Sequence, residues 1–349
     1  MWKPLARAAA TAPNGRFTIA LSELEYDDPF SVILTYDPRL SQPWSRVEVQ
    51  REIVDLTYVP FGQGELVPAA LSNEGDVYLL TDEVQRTKIP GAGINSEDAD
   101  GRGQVWQICA IGTALFVGGE SGQLYQSNAQ GWKQIEFPLM QSAIVALEPL
   151  ADGRLLIAGQ EIAQNRPDFS QMNTAEDIMA MVNSQLGKAE TGAGRSIIYV
   201  YDGTDFVEVP SEPAPHIRGV ASGNNGELLV FGVNDLLLLG DVNGLIRQAL
   251  PRRGLTYLTG AIFNEQIWLG SDHALHRWVD GELITSSPSL DPLVSNGQAS
   301  PLYICLQDNQ LIYFDYRQGV YIFDGTAWSG IRIPTALLKR TFDTLAPRE

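Results

Sequence analysis

The sequence is poor in the residues that most often carry chemistry. It holds three His and two Cys in 349 residues. Two thiols cannot build a disulfide framework, and three scattered imidazoles cannot supply a zinc cluster, so no metal or other cofactor is expected. Basic residues are scarce as well: 24 Lys and Arg stand against 42 Asp and Glu, a formal net charge of −18. A surface this negative repels phosphate backbones and excludes general nucleic-acid binding. No run of about 18 apolar residues exists, so no helix is expected to enter a membrane. Met1 to Ala10 carries Lys3, Arg7 and an Ala run. Arg7 interrupts it before it reaches the apolar length of an export signal, and it reads as a short helical lead-in. With two unpaired thiols, the expected compartment is the cytoplasm.

Hydrophobic residues are plentiful at 44%, enough to build a core and to exclude a disordered acidic chain. They recur in a pattern. Val105–Ala110, Ala114–Gly119, Gly122–Tyr125 and Gly131–Pro138 form four short apolar runs separated by Gly-rich turns. Leu302–Leu306, Gln310–Phe314, Gly319–Gly325 and Trp328–Pro334 repeat the grammar, as do the runs over 227–251. Four strands at hairpin spacing make one antiparallel sheet. Units fall at 52–90, 104–138, 143–210, 216–251, 255–288 and 300–334, with a partial one at 16–51 lacking its innermost strand. Seven units in this length give about 50 residues each, the scale of a propeller blade. Asp202-Gly203, Asp280-Gly281 and Asp324-Gly325 fall just before the last strand of their units, where a tight turn needs positive φ. The expected fold is therefore all-β, a single seven-bladed propeller of four-stranded antiparallel blades. Residues 335–349 are expected to supply a closing strand and tail, with 336–346 pairing beside the partial first unit to remove a sheet edge.

This grammar over 16–346 resembles the seven-bladed β-propeller superfamily of the WD40, Kelch and BNR-like kind. The resemblance is architectural, because no Gly-His…Trp-Asp pair, repeated double Gly or Asp box accompanies it. It implies a fold and carries no active residues with it. Cys109 and Cys305 sit at equivalent places in innermost strands and read as small core residues. Trp44, Trp132, Phe206 and Trp328 read as packing between neighbouring blades.

Departures from a repeat are where function is most often grafted. The largest is 160–195, inserted between the second and third strands of the fourth unit. Thr174 suits an N-cap, Glu176 and Asp177 a first turn, and Gly187 a stop, which predicts a helix. Met172, Met179 and Met181 make it an adaptable contact surface. The second departure is charge. Loops joining strands two to three, and those joining blades, share one face. They carry Glu23, Glu25, Asp27, Asp28, Glu74, Asp76, Glu97, Asp98, Asp100, Glu120, Glu161, Asp235, Asp272 and Asp315. The opposite face reads mainly as short Gly/Asn/Asp turns, so the first face is expected to be the electronegative one.

Ser96-Glu97-Asp98-Ala99-Asp100-Gly101 approximates the start of a calcium loop, but Ser stands first and Gln107 occupies the twelfth position. His216, His273 and His276 show no acid–base spacing, and no nucleophile elbow or phosphate loop appears. The chain is expected not to be an enzyme. In character it is similar to the propeller immunity proteins of bacterial polymorphic-toxin systems. That resemblance implies a monomeric inhibitor that captures a basic partner, such as a toxin domain. Its partner-binding residues would be Glu23, Glu25, Asp27, Asp28, Glu74, Glu97, Asp98, Asp100, Glu120, Asp272 and Asp315, with Met172 and Met179 of the insertion. The alternatives are a general interaction scaffold and a calcium-assisted propeller hydrolase.

Overall fold

The computed structural model of the chain describes residues 5–22, 29–139, 141–161, 196–214, 216–223, 225–251, 254–272, 274–286, 301–315 and 319–338. Seven antiparallel sheets of four strands each make up the described residues. Blade 1 is Leu5–Ala12, Arg16–Ser22, Ser31–Tyr36 and Trp44–Val49 (β1–β4), and blade 2 is Ile53–Phe61, Glu65–Ser72, Asp76–Leu79 and Gln85–Lys88 (β5–β8). Blade 3 is Val105–Ile111, Ala114–Gly119, Leu124–Asn128 and Gly131–Gln134 (β9–β12). Blade 4 is Ser142–Pro149, Leu155–Glu161, Ser196–Tyr201 and Phe206–Glu208 (β13–β16). Blade 5 is Ile217–Ser222, Leu228–Gly232, Leu237–Asp241 and Gly244–Arg247 (β17–β20). Blade 6 is Tyr257–Phe263, Gln266–Ser271, Leu275–Val279 and Glu282–Ser286 (β21–β24). Blade 7 is Pro301–Gln307, Gln310–Asp315, Gly319–Phe323 and Trp328–Ile331 (β25–β28).

Each blade is a meander whose first strand lies innermost. The turns follow from the residues that occupy them. At Asp280-Gly281 both residues have positive φ, at 51° and 83°, as a two-residue hairpin turn demands. At Asp202 and Asp324 the carboxylate instead accepts the N–H groups of the residues two and three positions on, closing a side-chain-capped turn.

Blade 1 corrects the expectation drawn for it. It is a complete sheet, and its innermost strand is the Ala-rich segment at the start, β1, paired with β2 from Leu5↔Ser22 to Ala12↔Arg16. The helical lead-in is a strand. Inner strands converge on the axis, where small side chains fit, and Ala6, Ala8, Ala9, Ala10 and Ala12 are all buried. Packing thus overrides the weak strand propensity of alanine. The described part of the C-terminal segment, Thr335–Leu338, is a 3₁₀ turn. Leu337 and Leu338 pack against the blade 7–blade 1 core, and Arg46 of β4 donates to the carbonyl of Leu337 at 3.1 Å. This segment therefore meets the outermost strand of blade 1, while residues 339–346 lie outside the described residues.

The core is divided into seven apolar clusters, one in each interface between adjacent blades. The expected aromatic wedges sit in them: Trp44 between blades 7 and 1, Trp132 between 2 and 3, Phe206 between 3 and 4, and Trp328 between 6 and 7. The ring closes where Phe17 meets Phe314 edge-on, with centroids 5.7 Å apart. Thr11 Oγ1 and Cys305 Sγ approach to 3.4 Å, and Asp308 accepts the N–H of Asn14 at 2.8 Å. The helix expected within 160–195 falls on residues 162–195, outside the described residues. The flanking strands β14 and β15 place that segment between the second and third strands of blade 4. Among the described residues, no helix is long and apolar enough to cross a membrane.

Candidate functional site

Strand alternation sorts the loops. Those joining second to third strands, and blade to blade, share a long-loop face; the remaining turns share a short-turn face. The longest described connection on the long-loop face joins β8 to β9, over 89–104. It is braced from beneath. Glu74, buried, accepts from the N–H groups of Ile94 and Asn95 at 3.0 and 2.8 Å and from Asn95 Nδ2 at 3.1 Å. Lys88 Nζ donates to the carbonyls of Glu74, Ile89 and Ala92 at 2.6, 3.1 and 2.6 Å. Gly93 and Gly103 form a bridge across the loop, and Glu120 accepts the N–H of Gln104 at 3.1 Å. Gly93 has φ of +102°, and a Cβ there would stand 2.5 Å from Glu74 Oε2, so only glycine fits. Ile94 is left 57% exposed at the tip, beside exposed Glu97, Asp98 and Asp100.

The residues expected to contact a partner therefore divide into groups. Glu97, Asp98, Asp100 and Asp272 are exposed on the long-loop face. Asp98 accepts the N–H of Gly91 and lies 3.7 Å from Lys88, and Asp100 pairs with Arg102 at 2.8 Å. Glu74 and Asp315 are corrections, for both are buried. Glu74 holds the 89–104 loop, and Asp315 accepts from the hydroxyl of Tyr313. Glu120 is half-buried and spent on the Gln104 amide. Asp76 and Asp235 are likewise internal, Asp76 pairing with Arg51 and Arg86 at 2.8 and 2.7 Å. Glu23, Glu25, Asp27, Asp28, Met172 and Met179 lie outside the described residues.

The charge asymmetry also needs correction. Asp82, Asp152, Asp202, Asp241, Asp280 and Asp324 are all exposed on the short-turn face. Asp is favoured in tight turns because its side chain caps local N–H groups, so the hairpins accumulate carboxylates. The exposed acid is shared by both faces.

Sequence reasoning missed the central channel. Its wall is formed by all seven innermost strands, and it encloses about 520 Å³. Each of those strands breaks register once near its start, a bulge that twists the strand and re-aims side chains. Side chains following the bulge reach from one blade to the next. Asp55 accepts the N–H of Ile108 at 2.7 Å and that of Leu56 at 2.9 Å. Glu148 accepts from the N–H and hydroxyl of Ser222 at 2.9 and 2.7 Å, and Thr259 accepts the N–H of Ile304 at 2.8 Å. Interfaces 2–3, 4–5 and 6–7 are thereby latched at the axis.

Both carboxylates are open to the channel yet enclosed by the ring. Desolvation pushes Asp55 up to about 7 and Glu148 up to about 6, against the N–H donors that favour the charged form. Desolvation inside the ring also pushes Cys305 up to about 12 and Cys109 and Tyr303 well above their usual ranges, so the thiols and the phenol stay neutral. The faint signal in the sequence was an acidic residue inside an innermost strand: Asp55 after Ile53-Val54, and Glu148 at the position that Cys109 and Cys305 occupy in their blades. Among the described residues, no group of three or more His, Cys, Asp and Glu is arranged to hold a metal ion. His276 is buried between Ser271 and Thr285, and His216 meets Gln160 at 2.7 Å.

No protein-family model matches the chain, and no curated protein does. Among solved structures 612 chains match, so the fold by itself narrows function little. One of them, described as "YCF48 bound to D1 peptide", has a TM-score of 0.54 and 12% identity, with 90% of this chain and 90% of that chain covered. At that identity the likeness is one of architecture: the chain is a seven-bladed β-propeller, similar in fold to YCF48.

Proposed function

We propose that this propeller is a non-enzymatic protein-binding module, and that it acts as an inhibitor of the immunity type, capturing a basic partner such as a toxin domain in the cytoplasm. The observation that carries the reading is the 89–104 loop. Loops of this length are uncommon unless functional, and this one is braced by Glu74 and Lys88 while leaving apolar Ile94 exposed on the same loop as exposed Glu97, Asp98 and Asp100. Exposed apolar side chains accompanied by charged ones are what protein interfaces use. Net charge of −18 steers a basic partner toward it and speeds encounter. The 160–195 insertion, rooted on the same face, would extend the contact. A peptide-bound propeller of similar fold, YCF48, supports the broader alternative of a general interaction scaffold.

The test is co-expression with the product of the adjacent gene. Growth arrest by that product, relieved by this chain, is the expected result. Ile94→Asp with Glu97→Lys and Asp98→Lys should abolish relief without lowering the melting temperature. A neighbour that is harmless, or that this chain leaves toxic, refutes the inhibitor reading. A scaffold would leave such a neighbour unaffected.

A further inference from the structure

The channel is built unlike a packed axis. Its wall mixes apolar side chains with polar ones, Thr11, Thr57, Gln107 and Ser222 among them, and two large side chains stay uncovered inside it. Leu258 is 42% and Tyr303 39% exposed, and both line the cavity. Asp55 and Glu148 face the same space from blades 2 and 4. Among the described residues they accept from N–H groups and one hydroxyl, donors that leave a carboxylate's charge uncompensated. Arg218 is the single cation among the described lining residues. It stands exposed at the bulge of β17, in no described ion pair.

A concave cavity on which a few polar groups converge is the usual form of a ligand site. This one brings an exposed leucine, an aromatic ring and two acids together in about 520 Å³. Each selects a different part of one kind of guest. Leu258 suits an alkyl stem, the Tyr303 ring can face a cation, and the carboxylates can take up ammonium donors. A metal ion would want a denser set of oxygens than two separated acids. An anion would have to displace two carboxylates for one arginine.

We propose that the central channel binds an alkylammonium group, supplied by a lysine side chain of the basic protein partner. The source of the group rests on the protein-binding reading above; the chemistry of the channel does not. A cation placed there would hold Asp55 and Glu148 ionised, which the empty ring disfavours through desolvation.

Calorimetric titration of the full chain with two probes tests both parts. Cadaverine tests the chemistry, and a lysine-centred glycine tripeptide tests the source. Both are expected to bind saturably at neutral pH. Asp55→Asn with Glu148→Gln should weaken both by roughly ten- to hundredfold, the usual effect of losing hydrogen bonds to charged groups. Leu258→Lys, which puts an ammonium at the channel in cis, should weaken them too, while Arg218→Ala should strengthen them. Should the double variant not fold, the Leu258 and Arg218 variants carry the test alone. No saturable binding of either probe, unchanged affinity in the double variant, or weakening on removing Arg218 overturns the proposal. Cadaverine binding without the tripeptide overturns the lysine source. If the adjacent toxin is neutralised equally well by the channel variants, the lysine source is overturned and the inhibitor reading stands.

Discussion

Replacing Asp55 by Asn should make the propeller more stable at pH 8. Asp55 has an ordinary value of 3.8 and is pushed up to about 7 in the ring. That difference of about three units corresponds to about 4 kcal/mol of penalty on the charged form, an upper limit because water in the channel shares the desolvation. The folded chain therefore binds a proton that the unfolded chain has lost, across the window between 3.8 and about 7. Stability is fully present below the unfolded value and is lost as pH rises through the folded one. Between pH 8 and pH 5 this single group should return up to about 2–3 kcal/mol. Asn removes the charge and keeps one acceptor oxygen. Asp55 accepts from both Ile108 and Leu56, so one hydrogen bond of about 1 kcal/mol is surrendered. The net gain at pH 8 is about 1–3 kcal/mol, and the pH slope between 5 and 8 should flatten. Urea unfolding followed by tryptophan fluorescence at both pH values measures each quantity. A variant less stable than the parent at pH 8, with the slope unchanged, would show that the latch to Ile108 outweighs desolvation and would refute the reasoning.

Three other outcomes follow from the same structure. Glu74→Ala leaves the amides of Ile94 and Asn95 without their acceptor and should cost about 1–3 kcal/mol; limited proteolysis should then cut within 89–104, and resistance equal to the parent's would count against the brace. Truncation after Pro334 removes the packing of Leu337 and Leu338 and the Arg46 contact, a loss of about 1–3 kcal/mol, whereas deleting residues 1–12 removes an entire inner strand and should prevent folding. Circular dichroism melts would separate the two, and equal effects would contradict the closure described for blade 1. Gly118→Ala places a Cβ 2.6 Å from Ile144 Cγ2 of the next blade and should destabilise by about 1–3 kcal/mol through overpacking, with little change expected if blades 3 and 4 can slide apart.

Much of the ring was legible in the chain. Apolar runs alternating with Gly, Asn and Asp turns define hairpins locally, so the positions of blades 2 to 7 and the turns at Asp202, Asp280 and Asp324 could be read without knowing what packs on what. Cys109 and Cys305 took equivalent places because each blade repeats one register. Blade 1 was misread for a physical reason. Ala8, Ala9 and Ala10 have no strong strand preference, and their suitability comes from crowding at an axis that exists only once the other blades are assembled. The acidic residues were misread in the same way. Exposed Glu97 and buried Glu74 look alike in a loop, and only the path of 89–104 over Glu74 separates a surface charge from a brace.

The alternation of apolar runs and turn residues in this sequence determined seven units and the four-stranded sheets of six of them, because hairpins depend on neighbours close along the chain. Tertiary structure alone decided where the ring closes, which carboxylates reach solvent, and that Asp55 and Glu148 meet in one channel. Those outcomes depend on strands about 50 to 300 residues apart converging on a common axis, and no local pattern encodes that distance.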